Sequence, residues 1–186
     1  MIKEETKLLY ILLIVVVVAS WLVSTYNRLV GAREKVHNAK GQIAAQIESR
    51  WDALSNLIDA TKSYTAHEAD TLKAVVNARS RVTEGSSVGE MEADNEAFNS
   101  ALGRLIAIGE AYPDLKASQV YTQTMASVNT YENNVRHSRM IYNDTVTNLN
   151  RSVQVFPANL VAGMFGFHKE EYFRETEEKR EMPKWN

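Results

Sequence analysis

Glu132 and Arg139 stand seven residues apart in a series that is otherwise apolar: Tyr121, Met125, Val128, Val135, Tyr142, Val146, Leu149, Val153 and Phe156. With the two charges included, the series advances by alternating fours and threes, the spacing of one buried helix face. A charge on such a face costs several kcal/mol unless it is paired. Two kinds of chemistry fit. One is a register-fixing ion-pair network, with Arg79 and the polar stretch of residues 59–71 as the source of partners. The other is a site in which Arg79, Glu132, Arg139 and His67 hold a small polar ligand or relay protons. The spacing alone does not choose between them.

Signatures of other chemistry are missing. The four histidines, His37, His67, His137 and His168, are scattered, and His67-Glu68 lacks the second histidine that a zinc-protease helix needs. There is no Gly-rich phosphate loop, dinucleotide fingerprint or nucleophile elbow. Glu170-Glu171 and Glu177-Glu178 lie in a segment charged in both signs, where solvation is the expected role. With no cysteine, thiolate catalysis, disulfides and iron–sulfur ligation are excluded, and a net charge of −2 over 186 residues offers no basic field for nucleic acid. The expectation is a protein that is not an enzyme, with no cofactor, no metal and no nucleic-acid partner. Asn143-Asp144-Thr145 and Asn150-Arg151-Ser152 match the glycosylation pattern but fall mid-helix, and no role is assigned to them.

The elements that must position these residues are helical. Glycine (8) and proline (3) are few, and 45% of residues are hydrophobic. Residues 8–27 carry no charge and as a helix would extend roughly 30 Å, one bilayer crossing. Leu8 opens this candidate anchor, and Tyr10, Trp21 and Tyr26 take aromatic-belt positions within it. A cleaved leader ending near Val18-Ala19-Ser20 is the competing reading. Against it, apolar character continues through Trp21, Leu22 and Val23. Lys3 and Lys7 on one flank against Arg28, Arg33, Lys35 and Lys40 on the other favour a cytoplasmic body.

Residues 26–83 contain no proline, so one helix is expected to run out of the membrane to a stop at Gly85. Ile43, Ile47, Leu54, Ile58, Leu72, Val76 and Val82 would be its buried stripe. Ser87-Val88-Gly89-Glu90 reads as a capping box opening a second helix to about Ala111, which Pro113 breaks. A third helix is expected from about Lys116 to Val155. Were the third helix to climb back along the first, it would overshoot it by about two dozen Å and leave residues 142–153 in need of cover. The expected organisation is residues 1–27 with the anchor, a helical bundle over 28–156, a short apolar segment over 157–167 and a charged tail over 168–186.

The membrane helix, the first body helix with its Ala53-Leu54-Ser55-Asn56-Leu57 segment, and then AIGEAYPDLKAS, YENNVRHSRMIYNDTVTNLN and FPANLVAGMFGF closely resemble the bacterial LemA family. Members often carry Leu-Pro-Asn-Leu in the first helix; this chain has no proline there to impose a kink. The resemblance implies an all-α, single-pass membrane protein: an N-terminal transmembrane helix continuing into a long antiparallel, up-and-down, four-helix-like bundle. The short N-terminus would lie outside and the body in the cytoplasm. It implies no activity. Members are often encoded near membrane-bound zinc proteases, which points toward membrane proteostasis.

The function these readings favour is a membrane-anchored, self-associating scaffold or adaptor of the bacterial inner membrane. Its partners would be the lipid bilayer, further copies of itself and another membrane protein such as a membrane protease. Tyr142, Val146, Leu149, Phe156, Leu160, Phe165 and Phe167 are the candidate interface. The alternative is a helical-bundle sensor that binds a small polar ligand through its buried charges.

Overall fold

Ile2–Thr61 form one uninterrupted helix, α1. The computed structural model describes residues 2–61, 69–79 and 81–174. Five more helices follow: α2 Ala69–Asn77, α3 Val88–Ala111, α4 Pro113–Ala117, α5 Gln119–Gln154 and α6 Ala158–Phe165. The protein is all-α, with no strand among the described residues. It divides into two compact units, Met1–Ala39 with Asp144–Glu170, and Lys40–Asn143 with Glu171–Asn186.

In the first unit, α1 is long and apolar enough to cross a membrane, and the side chains of its charge-free run are exposed except for the part-buried Leu22 and the buried Thr25. Beyond the run, Leu29 packs with Val161, Ala162 and Phe167, bordered by Leu22, Val30 and Val153. The Tyr26 ring lies 4.8 Å from that of Phe165 and 5.8 Å from that of Phe167. Gly166, at φ +70°, ends α6 in the left-handed conformation that glycine adopts without strain, and the Phe167 N–H returns to the Ala162 carbonyl.

The second unit is an up-and-down arrangement, as its cross-helix contacts show. Arg79 pairs with Asp52, while Glu84 sits 3.6 Å from the space a side chain at Gly41 would occupy, so the chain at Arg79 and Glu84 descends α1. Arg50 meets Asp94, and Lys40 acts electrostatically on Glu90, so α3 rises beside α1. Arg50 also meets Glu132, and Asn56 shares a surface cleft with Gln123, so α5 descends again.

The expected single helix over residues 26–83 is therefore two elements. α1 ends at Thr61, whose hydroxyl donates to the Ile58 carbonyl. Thr61, Ser63, Tyr64 and Thr65 are all weak helix formers. Leu72 and Val75 are buried on a returning helix, α2, which stops at Asn77 rather than near Gly85. Gly85 caps no helix, and Gly166 alone among the described glycines has positive φ. The α3 start is as the sequence predicts: the Glu90 N–H donates to the Ser87 hydroxyl, and the Ser87 N–H donates to the Glu90 carboxylate at 2.6 Å. The expected third helix is split at Ser118, whose extended backbone and hydroxyl, accepting from the Tyr121 N–H, begin α5 afresh.

Candidate functional site

Three helices of the second unit each place a charge where the buried stripe has a gap. On α1 the series Ile43, Ile47, Arg50, Leu54 and Leu57 is wholly buried; on α3 the series is Met91, Asp94 and Phe98. On α5, Glu132 falls between the buried Val128 and Val135. The helix crossing brings the three together.

Arg50 is 0% exposed and is the hub. Its Nη2 lies 3.2 Å from Asp94 Oδ2, and its Nη1 donates to Glu132 Oε2 at 2.8 Å and to Asn95 Oδ1 at 2.9 Å. The guanidinium stacks over Phe98, with Cζ 4.0 Å from the ring centre. Trp51 Nε1 donates to the Asp94 carboxylate at 3.0 Å, and its indole meets the Phe98 ring edge-on at 5.3 Å. The fork of Arg50 is thus divided between two carboxylates on different helices, an arrangement that a flexible ammonium would fix less rigidly.

Arg139 lies nearby but is not part of this lattice. Its Nε and Nη2 are buried without a hydrogen bond, and its guanidinium rests 5.1 Å over the Phe173 ring. Burial pushes the Arg139 guanidinium below the usual arginine range. The positive charge of Arg50 adds to the push, while Glu132, Glu92 and Asp94 oppose it.

Of the residues that the sequence nominates, Glu132 and Arg139 do face the core, but they do not form a pair with each other. Arg79 is not a partner of Glu132. It is part-exposed and bonded to the exposed Asp52 at 3.0 Å, two residues along α1 from the buried Arg50 and so on a different face of that helix. His67 lies outside the described residues. Arg50 and Asp94 went unnamed in the sequence reading. Their signal was there: the seven-residue intervals from Ile47 to Leu54 and from Met91 to Phe98 each require a buried residue between.

The stripe at the end of α5 is not left bare. Tyr142, Val146 and Leu149 are buried within the chain, as is Phe167. Part of the cover is the segment expected to be a solvated tail. Phe173 is buried and meets the Tyr142 ring edge-on at 5.1 Å, and the Tyr142 hydroxyl donates to the Glu171 carbonyl. Two asparagines hold this strap by its backbone. Asn143 accepts from the Phe173 N–H and donates to the Phe173 carbonyl, at 3.0 and 3.1 Å. Asn150 makes the same pair with Glu170, at 2.8 and 2.9 Å. Phe156, Leu160 and Phe165 remain exposed.

The sequence model of the LemA family matches residues 39–186. The chain belongs to the LemA family. It is similar to magnetosome protein MamQ of Magnetospirillum gryphiswaldense, with 26% identity over 180 residues, covering 83% of this chain and 66% of the relative. A second relative, magnetosome protein MamQ 2 of Paramagnetospirillum magneticum, is 25% identical over 187 residues, covering 87% of this chain and 69% of the relative. Protein LemA of Metamycoplasma hominis is 26% identical over 158 residues, covering 83% of this chain and 71% of the relative. The chain spans about two thirds of the length of the MamQ relatives it matches. Within the LemA match lie the whole Arg50 lattice and both asparagine clamps, whereas the charge-free run precedes it.

Proposed function

We propose that this LemA-family protein is a membrane-anchored helical scaffold or adaptor of the bacterial inner membrane that associates with copies of itself and performs no catalysis. The observation that carries the reading is the pairing of both Arg50 terminal nitrogens within the lattice, although Arg50 Nε is buried without a hydrogen bond. Its charges converge on one another at the crossing of α1, α3 and α5, which fixes helix register rather than offering a polarised group to a substrate. The uncharged run of α1 supplies the anchor, and the flank bearing Arg28, Arg33, Lys35 and Lys40 supports a cytoplasmic body. A membrane protease is the partner class to which the family resemblance points.

The test is to extract the tagged protein from native membranes in a mild detergent, weigh the particle and identify its components. A homo-oligomer, or a stoichiometric complex with a second membrane protein, is the expected result. A partnerless monomer at physiological density overturns it. A reporter fused after Asn186 tests orientation.

The two buried, unbonded nitrogens of Arg139 favour a second reading, a sensor that takes a small anionic ligand. A thermal shift with a metabolite anion that disappears in Arg139→Met would support the sensor over the scaffold.

A further inference from the structure

Phe156, Leu160, Met164 and Phe165 are 75%, 58%, 74% and 54% exposed, four large apolar side chains within ten residues that include no charged group. The opposite face of α6, with Ala158, Val161 and Ala162, is buried against α1 around Leu29. A helix at a water-facing surface turns polar residues outward. This one turns apolar residues both ways, so its outer face calls for an apolar medium.

The position of α6 selects that medium. The Phe165 ring touches Tyr26, and Leu22 borders the cluster that holds Val161 and Ala162; Leu22 and Tyr26 close the charge-free run of α1. The first charged side chains beyond the run are basic: Arg28 and Arg33 are exposed, and Arg33 lies 5.2 Å over the Phe167 ring. Aromatic rings, basic groups and an uncharged helix at one level are the composition of a lipid headgroup boundary. We propose that α6 inserts its outer face into the interfacial layer of the bilayer that α1 crosses, giving the protein a second, lateral hold on lipid. This rests on the reading of α1 as a membrane crossing.

The chain has no cysteine, so single cysteines at Val16, Met164 and Met140 can each carry an environment-sensitive fluorophore in the full-length protein. The labelled chains are reconstituted into vesicles of phosphatidylcholine with a minority of phosphatidylglycerol, carrying spin-label quenchers either near the headgroup or deep in the acyl chain. The Val16→Cys label is expected to be quenched by the deep probe and the Met164→Cys label several-fold more by the shallow probe than the Met140→Cys label. Leu160→Cys provides an independent position with the same expected result. If Val16 is quenched but Met164 and Leu160 match Met140, the insertion of α6 is overturned and the anchor stands. If the α6 labels are shielded from aqueous iodide yet unquenched by either lipid probe, protein covers them, and the proposal is equally overturned. An unquenched Val16 label overturns the anchor and this inference together.

Discussion

Arg50→Met and Arg139→Met remove the same charge from two side chains of one core, and the structure gives them opposite weight. Arg50→Met strips three hydrogen bonds and the stacking on Phe98, and withdraws the Arg50 charge from the wholly buried Asp94 carboxylate. Breaking one side of a buried pair costs about 3–5 kcal/mol. For a chain of this size each kcal/mol moves Tm by about 2–4 °C, so a fall of about 6–20 °C is expected. Arg139→Met loses no hydrogen bond at Nε or Nη2 and keeps an apolar stem against Phe173, while relieving the burial of a charge. Its loss of cation–π attraction, about 1 kcal/mol, opposes that gain, so stability should stay within about 1 kcal/mol of the wild type. Thermal unfolding of the full chain in detergent, followed by circular dichroism, measures both. Hydrogen exchange at the α3 amides around Asp94 localises the effect. Equal losses in the two variants, or an Arg50→Met protein as stable as the wild type, would refute the division between a lattice hub and a peripheral cation.

A Cβ at Gly109 would collide with the Tyr121 ring and hydroxyl, so Gly109→Ala should destabilise by about 1–3 kcal/mol, and Tyr121→Leu in the same chain should recover most of it. Gly103→Ala, in the same helix but open to solvent, should instead stabilise by about 0.5–1 kcal/mol; denaturation midpoints decide both. Ser87→Ala removes the α3 cap and should cost about 1 kcal/mol by the same measurement. The Glu90 carboxyl is held below its ordinary value of 4.5 first by the Ser87 backbone N–H and then by its hydroxyl. Its contribution is therefore complete above that value and lost as pH falls through the folded pKa, so the Tm difference between wild type and Glu90→Gln should be full above pH 4.5 and shrink as the solution is acidified below it. Phe173→Ala should cost roughly 3 kcal/mol and accelerate hydrogen exchange at residues 170–174, read by mass spectrometry.

Local chemistry was the legible part. Ser87 with Glu90, and Pro113 after Tyr112, act within a few residues of themselves, so the start of α3 and the break before α4 can be read from the chain. The end of α1 at Thr61 could not, because the sequence there holds merely poor helix formers, without glycine or proline to mark the stop. Glu132 and Arg139 stood out because charges interrupted a long stripe. Arg50 and Asp94 did not, because each is flanked by other polar residues that blur which one faces inward. Phe173 was hidden by its neighbours: composition assigns a segment with Lys169, Glu170, Glu171 and Arg174 to solvent, while one aromatic and two distant asparagines decide otherwise.

The two asparagine clamps grasp the strap by peptide N–H and carbonyl groups, which nearly every residue supplies in identical form. A fastening of this kind is indifferent to the letters of the segment it holds. Glu170, Glu171 and Tyr172 are exposed and can be exchanged with little effect on the hold, whereas proline at 170 or 173 would remove a donor and undo one clasp. The strap can therefore diversify its outward side chains, and with them whatever surface it presents, while its course along α5 stays the same.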